Sequence, residues 1–425
     1  MTTTTPTIRD QASAAKAASN RLAVIPAGTK NAALNGIAES IETNRERILS
    51  ANEQDLEAAT QDGLDFQMLE RMTLNSARVK DMADAARNIA DLEDPIGEIL
   101  EERELANGLQ LQRVRVPLGV IGVIYESRPN VTIDIATLCL KSGNSVVLRG
   151  GKECIRTNIV LAGVVKDAIE NAGIPRDVVQ FVESTDRALV KEMLEMDDVI
   201  DLMIPRGSAD LVNFVGRNAT MPAVTGGVGV CHTYVDADAV LDDALSIVVN
   251  AKVQRPTVCN ALDTVLVHQA VAREFLPRLA SEFGVNDVEL RADSRAMSVL
   301  DALPGGARVS PARSDDFGTE FLALIASVKI VDSIDEALDH IEKYGSGHSE
   351  AIVSEDAAAV ERFLNEVDAG VVLANASTRF NDGAVFGLGA EVAISTSKLH
   401  ARGPMGLKEI TSYKWKVRGQ GQIRQ

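Results

Sequence analysis

The sequence predicts an α/β protein with two parallel sheets, preceded by a group of packed helices. Three observations lead to this prediction. Between residues 9 and 94, apolar side chains recur at helical spacing. From residue 120 onward, short apolar runs alternate with stretches long enough for crossover helices, as is typical of parallel sheets. Between these regions, residues 96–116 alternate with period two, as strands of a β-hairpin do.

The predicted strands of the two sheets form two series along the chain. The first series lies at residues 120–125, 146–148, 178–182 and 199–204. The second series follows Lys252 and lies at residues 264–267, 328–331, 351–353 and 371–373. This order predicts two α/β domains, joined near residues 251–256.

A hairpin is predicted from residues 96–104 and 109–116. Asn107-Gly108 stands between them, and this dipeptide is the strongest short-range signal for a tight hairpin turn. The tail, residues 410–418, mixes Thr, Tyr, Trp and Val with Lys at alternate places and predicts an isolated strand. A lone strand needs a partner, and we expect the hairpin to supply it.

Composition and charge exclude several classes of function. The 425 residues include 43 Lys and Arg against 61 Asp and Glu, for a net charge of −18. Nucleic acids and anionic membranes both need a positive partner surface, so neither is expected to bind. No run of about 18 apolar residues occurs, and the threonine-rich start lacks the features of a signal peptide. We therefore expect a cytoplasmic protein.

The four cysteines form no CxxC pair and predict free thiols rather than a disulfide framework. Cys139 lies in an apolar helical stretch and is most simply a core residue, while Cys154 and Cys231 have no motif around them. Cys259 stands close to Arg255, a cation that favours the thiolate if the two are close in space. A buried structural thiol is the alternative. The five histidines have no metal-ligand spacing, and no metal is expected.

The first predicted strand does not lead into the glycine-rich turn of an ordinary dinucleotide site. Residues 126–130 read Glu-Ser-Arg-Pro-Asn, without a glycine. The next strand ends in Arg149-Gly150-Gly151-Lys152, where NAD-binding proteins usually place an acid. Arg149 and Lys152 would suit a 2′-phosphate, and hence NADP. Solvated loop charges are an equally good explanation of these two side chains.

Two further segments have the character of phosphate-binding loops. Gly207 and Ser208 open a predicted helix, whose N-terminal N–H groups would suit a pyrophosphate. Simple helix capping by Ser208 is the more frequent role of such a residue. Gly226-Gly227 forms a flexible loop, which is weak evidence by itself.

Motifs in the same order along the chain resemble those of the aldehyde dehydrogenase superfamily. They are residues 117–130, the Gly226-Gly227 loop, Cys259 within residues 253–260, residues 320–322 and residues 386–389. Three longer stretches resemble the gamma-glutamyl phosphate reductase family within that superfamily: residues 123–132, 375–380 and 398–407. The resemblance covers essentially the whole chain.

The resemblance implies a subunit of three parts. Residues 1–95 and 117–253 would form the N-terminal helices with a Rossmann-like NADP-binding domain. Residues 254–409 would form the catalytic domain, and residues 96–116 with 410–425 a β-flap for homo-oligomer formation. Such proteins bind the cofactor in an atypical way without a GxGxxG turn, which would explain the missing glycines.

The resemblance also implies a role for each matched residue. Cys259 would be the nucleophile that holds the acyl group as a thioester. Asn130 and the backbone N–H of Cys259 would stabilise the oxyanion, although Asn130 could instead stabilise a turn. Glu320 would bind the nicotinamide ribose, or be a solvated acid, and Leu322 would pack near the ring. The candidates for substrate binding are Arg128, Arg255 and Arg379.

One departure from the superfamily bears on the reaction. Hydrolytic aldehyde dehydrogenases carry a Glu as general base in a Glu-Leu-Gly-Gly stretch, whereas this chain has Val224-Thr225-Gly226-Gly227. Because valine cannot activate water, the thioester would be made from, or passed to, another nucleophile, and phosphate fits.

The implied activity is NADPH-dependent reduction of L-glutamyl 5-phosphate to L-glutamate 5-semialdehyde in proline biosynthesis. A separate glutamate 5-kinase would then be a transient partner, since 425 residues leave no room for a fused kinase. Two alternatives remain open, a hydrolytic NAD(P)-dependent aldehyde dehydrogenase and a non-catalytic nucleotide-binding or scaffold protein.

Overall fold

The structure, a computed structural model, describes residues 6–226, 228–301 and 308–424. The chain divides into two compact units. The first runs through Thr225 and includes Gly387–Ala393 and the residues from Met405 onward. The second comprises Gly226–Phe386 and Ile394–Pro404. The three-part domain division that the sequence predicts stays a prediction.

The first unit begins with the predicted group of helices. Their bounds are α1 Ile8–Leu22, α2 Ala27–Thr43, α3 Arg45–Gln61, α4 Phe66–Met72 and α5 Ser76–Asp91. The apolar side chains that predicted them, such as Ile37, Ile41 and Ile48, are fully buried. Side-chain caps explain why helices begin where they do, because Thr7, Asp65 and Asn75 each accept a hydrogen bond from a first-turn N–H group.

A four-stranded parallel sheet follows in the same unit, with the order β5-β4-β3-β6. Its strands are β3 Val120–Tyr125, β4 Ser145–Gly150, β5 Val179–Phe181 and β6 Leu202–Arg206. The helices between and after them are α6 Asn130–Lys141, α7 Ile155–Asn171, α8 Ala188–Leu194 and α9 Ala209–Asn218. The carboxyl ends of β3, β4 and β6 share one edge, where open α/β sheets bind their ligands.

The start of β6 corrects one sequence prediction. A strand was expected from residue 199, but residues 199 and 200 lie in a turn whose N–H groups donate to Met196 O. Apolar composition cannot distinguish a buried turn from the strand that it leads into.

A separate antiparallel sheet has the order β1-β2-β16 and confirms the predicted hairpin. Its strands are β1 Ile99–Glu104, β2 Gln110–Pro117 and β16 Thr411–Arg418. Gly108 has φ +85°, a conformation that glycine adopts without strain, as the hairpin turn requires. The tail strand pairs with β2 along its whole length, so the predicted partner is confirmed.

The second unit contains a seven-stranded parallel sheet with the order β10-β9-β11-β8-β7-β12-β13. Its strands are β7 Cys231–Val235, β8 Leu262–His268, β9 Glu289–Ala292, β10 Val309–Pro311, β11 Ile325–Val331, β12 Ser349–Val353 and β13 Val371–Ala374. Its helices are α10 Leu241–Val253, α11 Gln269–Val285, α12 Ser294–Leu300, α13 Ile334–Tyr344 and α14 Ala357–Glu366. Two short strands, β14 Ala393–Ser395 and β15 Gly403–Met405, pair with each other.

Three strands of this sheet, β7, β9 and β10, were missed by sequence analysis. One of them, β7, lies between β8 and β12 and carries polar side chains, although every residue in it is buried. His232 in β7 and Glu350 in the neighbouring β12 explain how this is possible, because His232 Nδ1 lies 2.9 Å from Glu350 Oε2. Neither the sequence of β7 nor that of β12 indicates this pair by itself. Among the described helices, none is both long and apolar enough to cross a membrane.

Candidate active site

Cys259 lies between the end of α10 and the start of β8, in the second unit. It is partly exposed, whereas Cys139, Cys154 and Cys231 are buried. Burial raises the pKa of each of the three buried thiols above its ordinary value. Because the thiolate is the reactive form, Cys259 is the best placed of the four to act as a nucleophile.

The backbone of Gly229 packs closely against the backbone of Cys259. A Cβ atom placed on Gly229 would lie 1.6 Å from the carbonyl oxygen of Cys259, so no other residue fits there. The Gly229 N–H donates to Glu320 Oε1 at 2.9 Å. Burial raises the pKa of Glu320, and the bond from Gly229 opposes the rise. The structure thus joins Glu320, the predicted ribose ligand, to the backbone segment that packs against the backbone of Cys259.

A buried ion pair holds the segment that carries Glu320 and Leu322. Lys252 Nζ lies 3.5 Å from Asp263 Oδ1 and donates to Ala323 O at 3.1 Å. The same Asp263 oxygen accepts the N–H of Phe321 at 3.1 Å. Burial raises the pKa of Asp263 to about 6, and Lys252 opposes the rise. Sequence analysis missed this pair, although a charged residue in the apolar strand β8 is an unusual feature.

Leu322 has φ +50°, in the left-handed region that a non-glycine residue seldom adopts. Strained backbone of this kind persists where the surroundings impose it, and it clusters at functional sites. The bonds to Phe321 and Ala323 on either side of Leu322 are the contacts that impose it here.

Two of the three candidate arginines lie near Cys259. Arg379 is partly exposed in a turn after β13 and donates its Nε–H to Gln254 Oε1 at 3.0 Å. Burial and the charge of Arg255 lower the pKa of Arg379, while Asp382 and Cys259 raise it. The structure therefore brings Arg255, Arg379 and Cys259 within electrostatic reach of one another. The third candidate, Arg128, lies in the first unit before α6.

The cations predicted to bind a 2′-phosphate differ in their environment. Arg149, at the end of β4, is buried and donates Nη2–H to Thr185 O at 3.3 Å. Among the described residues its Nε has no hydrogen-bond partner. Burial lowers the pKa of Arg149, and the charge of Glu153 opposes this effect. The charge of Arg187, which sequence analysis did not single out, adds to the lowering. Lys152 is largely exposed and lies 3.4 Å from Asp62.

The helix start predicted to bind pyrophosphate holds one of the protein's own carboxylates. Ser208 donates its N–H to Glu126 Oε2 at 2.9 Å, and its hydroxyl caps α9 by accepting the N–H of Leu211. A Cβ atom on Gly207 would lie 2.3 Å from the same carboxylate oxygen. An anion is favourable at a helix N-terminus, and Glu126 supplies it here. A cofactor role for Gly207 and Ser208 stays a prediction.

In the loop after Val224, the structure requires glycine at position 226. Gly226 has φ +150°, and a Cβ atom there would lie 2.6 Å from Thr396 N and 2.9 Å from Ile394 O. Gly227 lies outside the described residues. Val224 itself is buried, and its N–H donates to Met203 O at 2.9 Å.

Asn130, the first residue of α6, donates from Nδ2 to Asp134 Oδ2 at 2.8 Å. Burial raises the pKa of Asp134 to about 6, with the bond from Asn130 opposing the rise. An amide held by a carboxylate one turn later is fixed in orientation, as an oxyanion donor must be. Sequence analysis missed Asp134, although an acid four residues after the candidate donor was a usable signal.

The chain is similar to proteins of one known family. A model of the aldehyde dehydrogenase family matches residues 2–294. Gamma-glutamyl phosphate reductase of Dehalococcoides mccartyi strain CBDB1 is 54% identical over 417 residues, covering 98% of both chains. The chain belongs to the aldehyde dehydrogenase family, among the gamma-glutamyl phosphate reductases. The family resemblance and the fold class predicted from the sequence are confirmed.

Further relatives within the family agree with this. Gamma-glutamyl phosphate reductase of Escherichia coli O81 is 50% identical over 402 residues, covering 95% of this chain and 96% of the relative. The crystal structure of gamma-glutamyl phosphate reductase from Thermotoga maritima has 42% identity and a TM-score of 0.95, covering 98% of this chain and 99% of that one. An acetylating aldehyde dehydrogenase from Geobacillus thermoglucosidasius, at 16% identity and a TM-score of 0.70, shares the fold.

No group of three His, Cys, Asp or Glu side chains that could hold a metal ion occurs in the described parts of the chain.

Replacing Asp134 tests its link to Asn130 through stability and activity together. Since its folded pKa of about 6 lies above the unfolded value of 3.8, its ionisation costs stability as pH rises between these values. Asp134→Asn should therefore unfold like wild type at pH 4 and be more stable at pH 7, by on the order of 2 kcal/mol. Urea denaturation at both pH values measures this.

The activity of two Asp134 variants separates positioning from charge. Asp134→Asn keeps an acceptor for the Asn130 amide and should retain most turnover. Asp134→Ala removes the acceptor, and we expect kcat to fall about tenfold. Equal turnover in both variants would contradict the positioning role.

Proposed function

We propose that this chain reduces L-glutamyl 5-phosphate to L-glutamate 5-semialdehyde with NADPH, releasing phosphate, as a step of proline biosynthesis. The observation that carries the proposal is the partly exposed Cys259 beside Arg255 and Arg379, in a chain 54% identical to a gamma-glutamyl phosphate reductase along 98% of its length. An accessible thiol beside cations is the arrangement that acyl transfer from an anionic substrate needs.

The first step is attack of the Cys259 thiolate on the acyl carbon of the substrate. The new C–S bond forms, the bond from carbon to the phosphate oxygen breaks, and phosphate leaves with the electron pair. The product is a thioester on Cys259. Because Val224 replaces the general base of hydrolytic relatives, water is not activated to cleave this thioester.

The tetrahedral species formed by the attack carries a negative oxygen, which needs donors already in place. We assign the backbone N–H of Cys259 to this role, together with the side-chain amide of Asn130. Asp134 accepts one hydrogen bond from that amide at 2.8 Å, and the amide nitrogen carries a second hydrogen that can be donated.

The buried guanidinium of Arg149 supports NADPH as the cofactor. Arg149 Nε is buried and has no partner among the described residues, so a phosphate oxygen would complete its hydrogen bonding. We propose that Arg149 and Lys152 bind the 2′-phosphate, that Gly207, Ser208, Gly226 and Gly227 approach the pyrophosphate, and that Glu320 and Leu322 hold the nicotinamide ribose and ring. The bound group would supply hydride to the acyl carbon, after which the C–S bond breaks, the semialdehyde leaves and the electron pair returns to the Cys259 thiolate.

Arg149→Gln should change cofactor preference rather than general activity. Without the guanidinium, we expect kcat/KM with NADP⁺ to fall about tenfold or more while the value with NAD⁺ changes little, because only NADP⁺ carries the 2′-phosphate. Lys152→Gln, at the second proposed phosphate ligand, should change the cofactor preference in the same direction. Lys152 is exposed and close to Asp62, so its effect should be smaller. A similar loss with both cofactors would contradict the assignment.

The test of the proposed function is the reverse reaction. Purified protein is given glutamate 5-semialdehyde and NADP⁺, and NADPH absorbance is followed with and without inorganic phosphate. A rate that requires phosphate is expected. A rate without phosphate would favour a hydrolytic aldehyde dehydrogenase. No rate, together with no substrate protection of Cys259 against alkylation, would favour a non-catalytic binding protein.

We also propose that the β1-β2-β16 sheet joins subunits in a homo-oligomer, and that a separate glutamate 5-kinase supplies the labile substrate. The support for the first is an exposed apolar face of β16. Tyr413, Trp415 and Val417 alternate along the strand and are 52%, 42% and 55% exposed.

Changing that face of β16 should change the molecular mass in solution. Trp415→Glu places a charge in the apolar face, and we expect a smaller species by light scattering after gel filtration. Lys414→Glu changes charge on the opposite face of the same strand and should leave the mass unchanged. Equal masses for wild type and Trp415→Glu would count against this interface.

A further inference from the structure

Two arginines of the second unit, Arg255 and Arg379, carry like charges close together. Arg379 donates its Nε–H to Gln254 Oε1 at 3.0 Å, which places its guanidinium beside the residue preceding Arg255. The charge of Arg255 adds to burial in lowering the pKa of Arg379. Arg255 is exposed and Arg379 is partly exposed, so both can reach a ligand.

The turn that carries Arg379 is fixed to the residue that follows Cys259. Thr378 donates its hydroxyl to Asn260 O at 2.7 Å, and Asn260 donates its amide to Asn381 O at 2.8 Å. All three residues are buried, so these bonds are protected from competition with water. Arg379 is therefore held at a defined position relative to the candidate nucleophile.

In the described parts of the chain, no carboxylate lies within ion-pair distance of Arg255 or Arg379, and the charge of Asp382 acts on Arg379 from farther away. Among the described residues neither arginine forms an ion pair, although the chain has a net charge of −18 and other arginines, such as Arg362, pair with acids. The nearby acid, Asp382, uses Oδ1 to accept the N–H groups of Ala384 and Val385 at 2.9 and 3.2 Å. Two adjacent cations repel each other, and a dianion that contacts both converts this repulsion into charge-assisted hydrogen bonds.

We propose that Arg255 and Arg379 together bind the phosphoryl group of the acyl phosphate, and inorganic phosphate in the reverse reaction. This inference rests on the proposed function. The phosphoryl group is joined through one oxygen to the carbon that Cys259 attacks, so it lies next to the sulfur during the reaction. The α-carboxylate of the substrate is four carbons farther from that sulfur. When the carbon–oxygen bond breaks, the electron pair moves onto phosphate, and the two guanidinium groups stabilise that charge.

The test measures KM for phosphate in the reverse reaction of Arg255→Gln and Arg379→Gln. We expect KM for phosphate to rise about tenfold or more in each, with KM for the semialdehyde within about twofold of wild type. Arg379→Lys should be intermediate, because Lys keeps the charge and loses the forked geometry. Arg362→Gln, which removes a partly exposed arginine from α14, is the matched control and should match wild type.

The results that would overturn the proposal are specific. An unchanged KM for phosphate in both glutamine variants excludes the pair as the phosphoryl site. A rise in KM for the semialdehyde alone would assign the pair to the α-carboxylate instead. If wild type itself shows no dependence on phosphate, the proposed function fails, and this outcome is visible before any variant is compared.

A second measurement does not depend on turnover. In wild type, inorganic phosphate should slow alkylation of Cys259 by iodoacetamide, because the bound dianion lies beside the sulfur. In Arg379→Gln, the phosphate concentration that gives half protection should rise about tenfold or more. Equal protection in wild type and variant would overturn the proposal, and thermal unfolding of each variant shows whether it is folded.

Discussion

Replacement of Cys259 by alanine should abolish turnover while leaving the fold intact. We expect kcat to fall by about 10⁴-fold or more, since losses of this size follow removal of a nucleophile that forms a covalent intermediate. Cys259 is partly exposed, so removing its sulfur leaves no large cavity. Steady-state kinetics of the reverse reaction with phosphate, together with thermal unfolding, would measure both effects.

Cys139→Ala is the matched control for that experiment. Cys139 is fully buried in α6, so the variant should lose about 1–2 kcal/mol of stability and keep its turnover at 25 °C. The opposite pattern, an active Cys259→Ala protein, would remove the thioester mechanism. Alkylation mapped by mass spectrometry offers an independent check, because Cys259 should react first among the four thiols.

Gly229→Ala should have the next largest effect, although this residue carries no functional group. The new Cβ atom would lie 1.6 Å from the carbonyl oxygen of Cys259, so one of the two backbone segments must move. The bond from Gly229 N–H to Glu320 would be lost in the same movement. We expect kcat/KM to fall about 10²-fold, because displacement of reacting groups by about 1 Å has this effect.

The stability of the Gly229 variant should fall as well, by about 1–3 kcal/mol or more, as in other overpacked sites. Gly36→Ala is the control. Gly36 lies within α2 with no atom near the position of its Cβ, and alanine there should raise helix stability by about 0.5–1 kcal/mol. Urea denaturation and kinetics of both variants give the comparison, and a Gly229→Ala protein with wild-type kcat/KM would show that Cys259 tolerates the movement.

Much of the fold follows from local patterns in the sequence. The hairpin could be predicted because Asn107-Gly108 imposes a turn whatever surrounds it, and β3 could be predicted because all six of its residues are apolar or glycine. Cys259 could be singled out because its neighbours match a family motif. In each case the signal lies within about ten consecutive residues, which is the reach of backbone preference and hydrophobic periodicity.

The missed features depend on partners that are distant in the chain. The strand β7 is polar in sequence, and only the pairing of His232 with Glu350, 118 residues later, makes its burial possible. Burial of Lys252 or Asp263 alone would leave an unpaired charge in the core, and the ion pair between them removes this cost. The carboxylate of Glu126 accepts the N–H of Ser208 at the start of α9, 82 residues later in the chain. No local pattern indicates this contact.

The sequence by itself determined the alternation of strands and helices, the hairpin with its tail partner, and the family whose motifs surround Cys259. Tertiary structure alone decided which polar groups have a partner. Asp134 accepts a hydrogen bond from Asn130, and Lys252 forms an ion pair with Asp263. Among the described residues, Arg255 and Arg379 form no ion pair with a carboxylate. The physical reason is the distance along the chain over which each effect acts. Backbone preference acts between neighbours in the chain, whereas burial and charge act between neighbours in space.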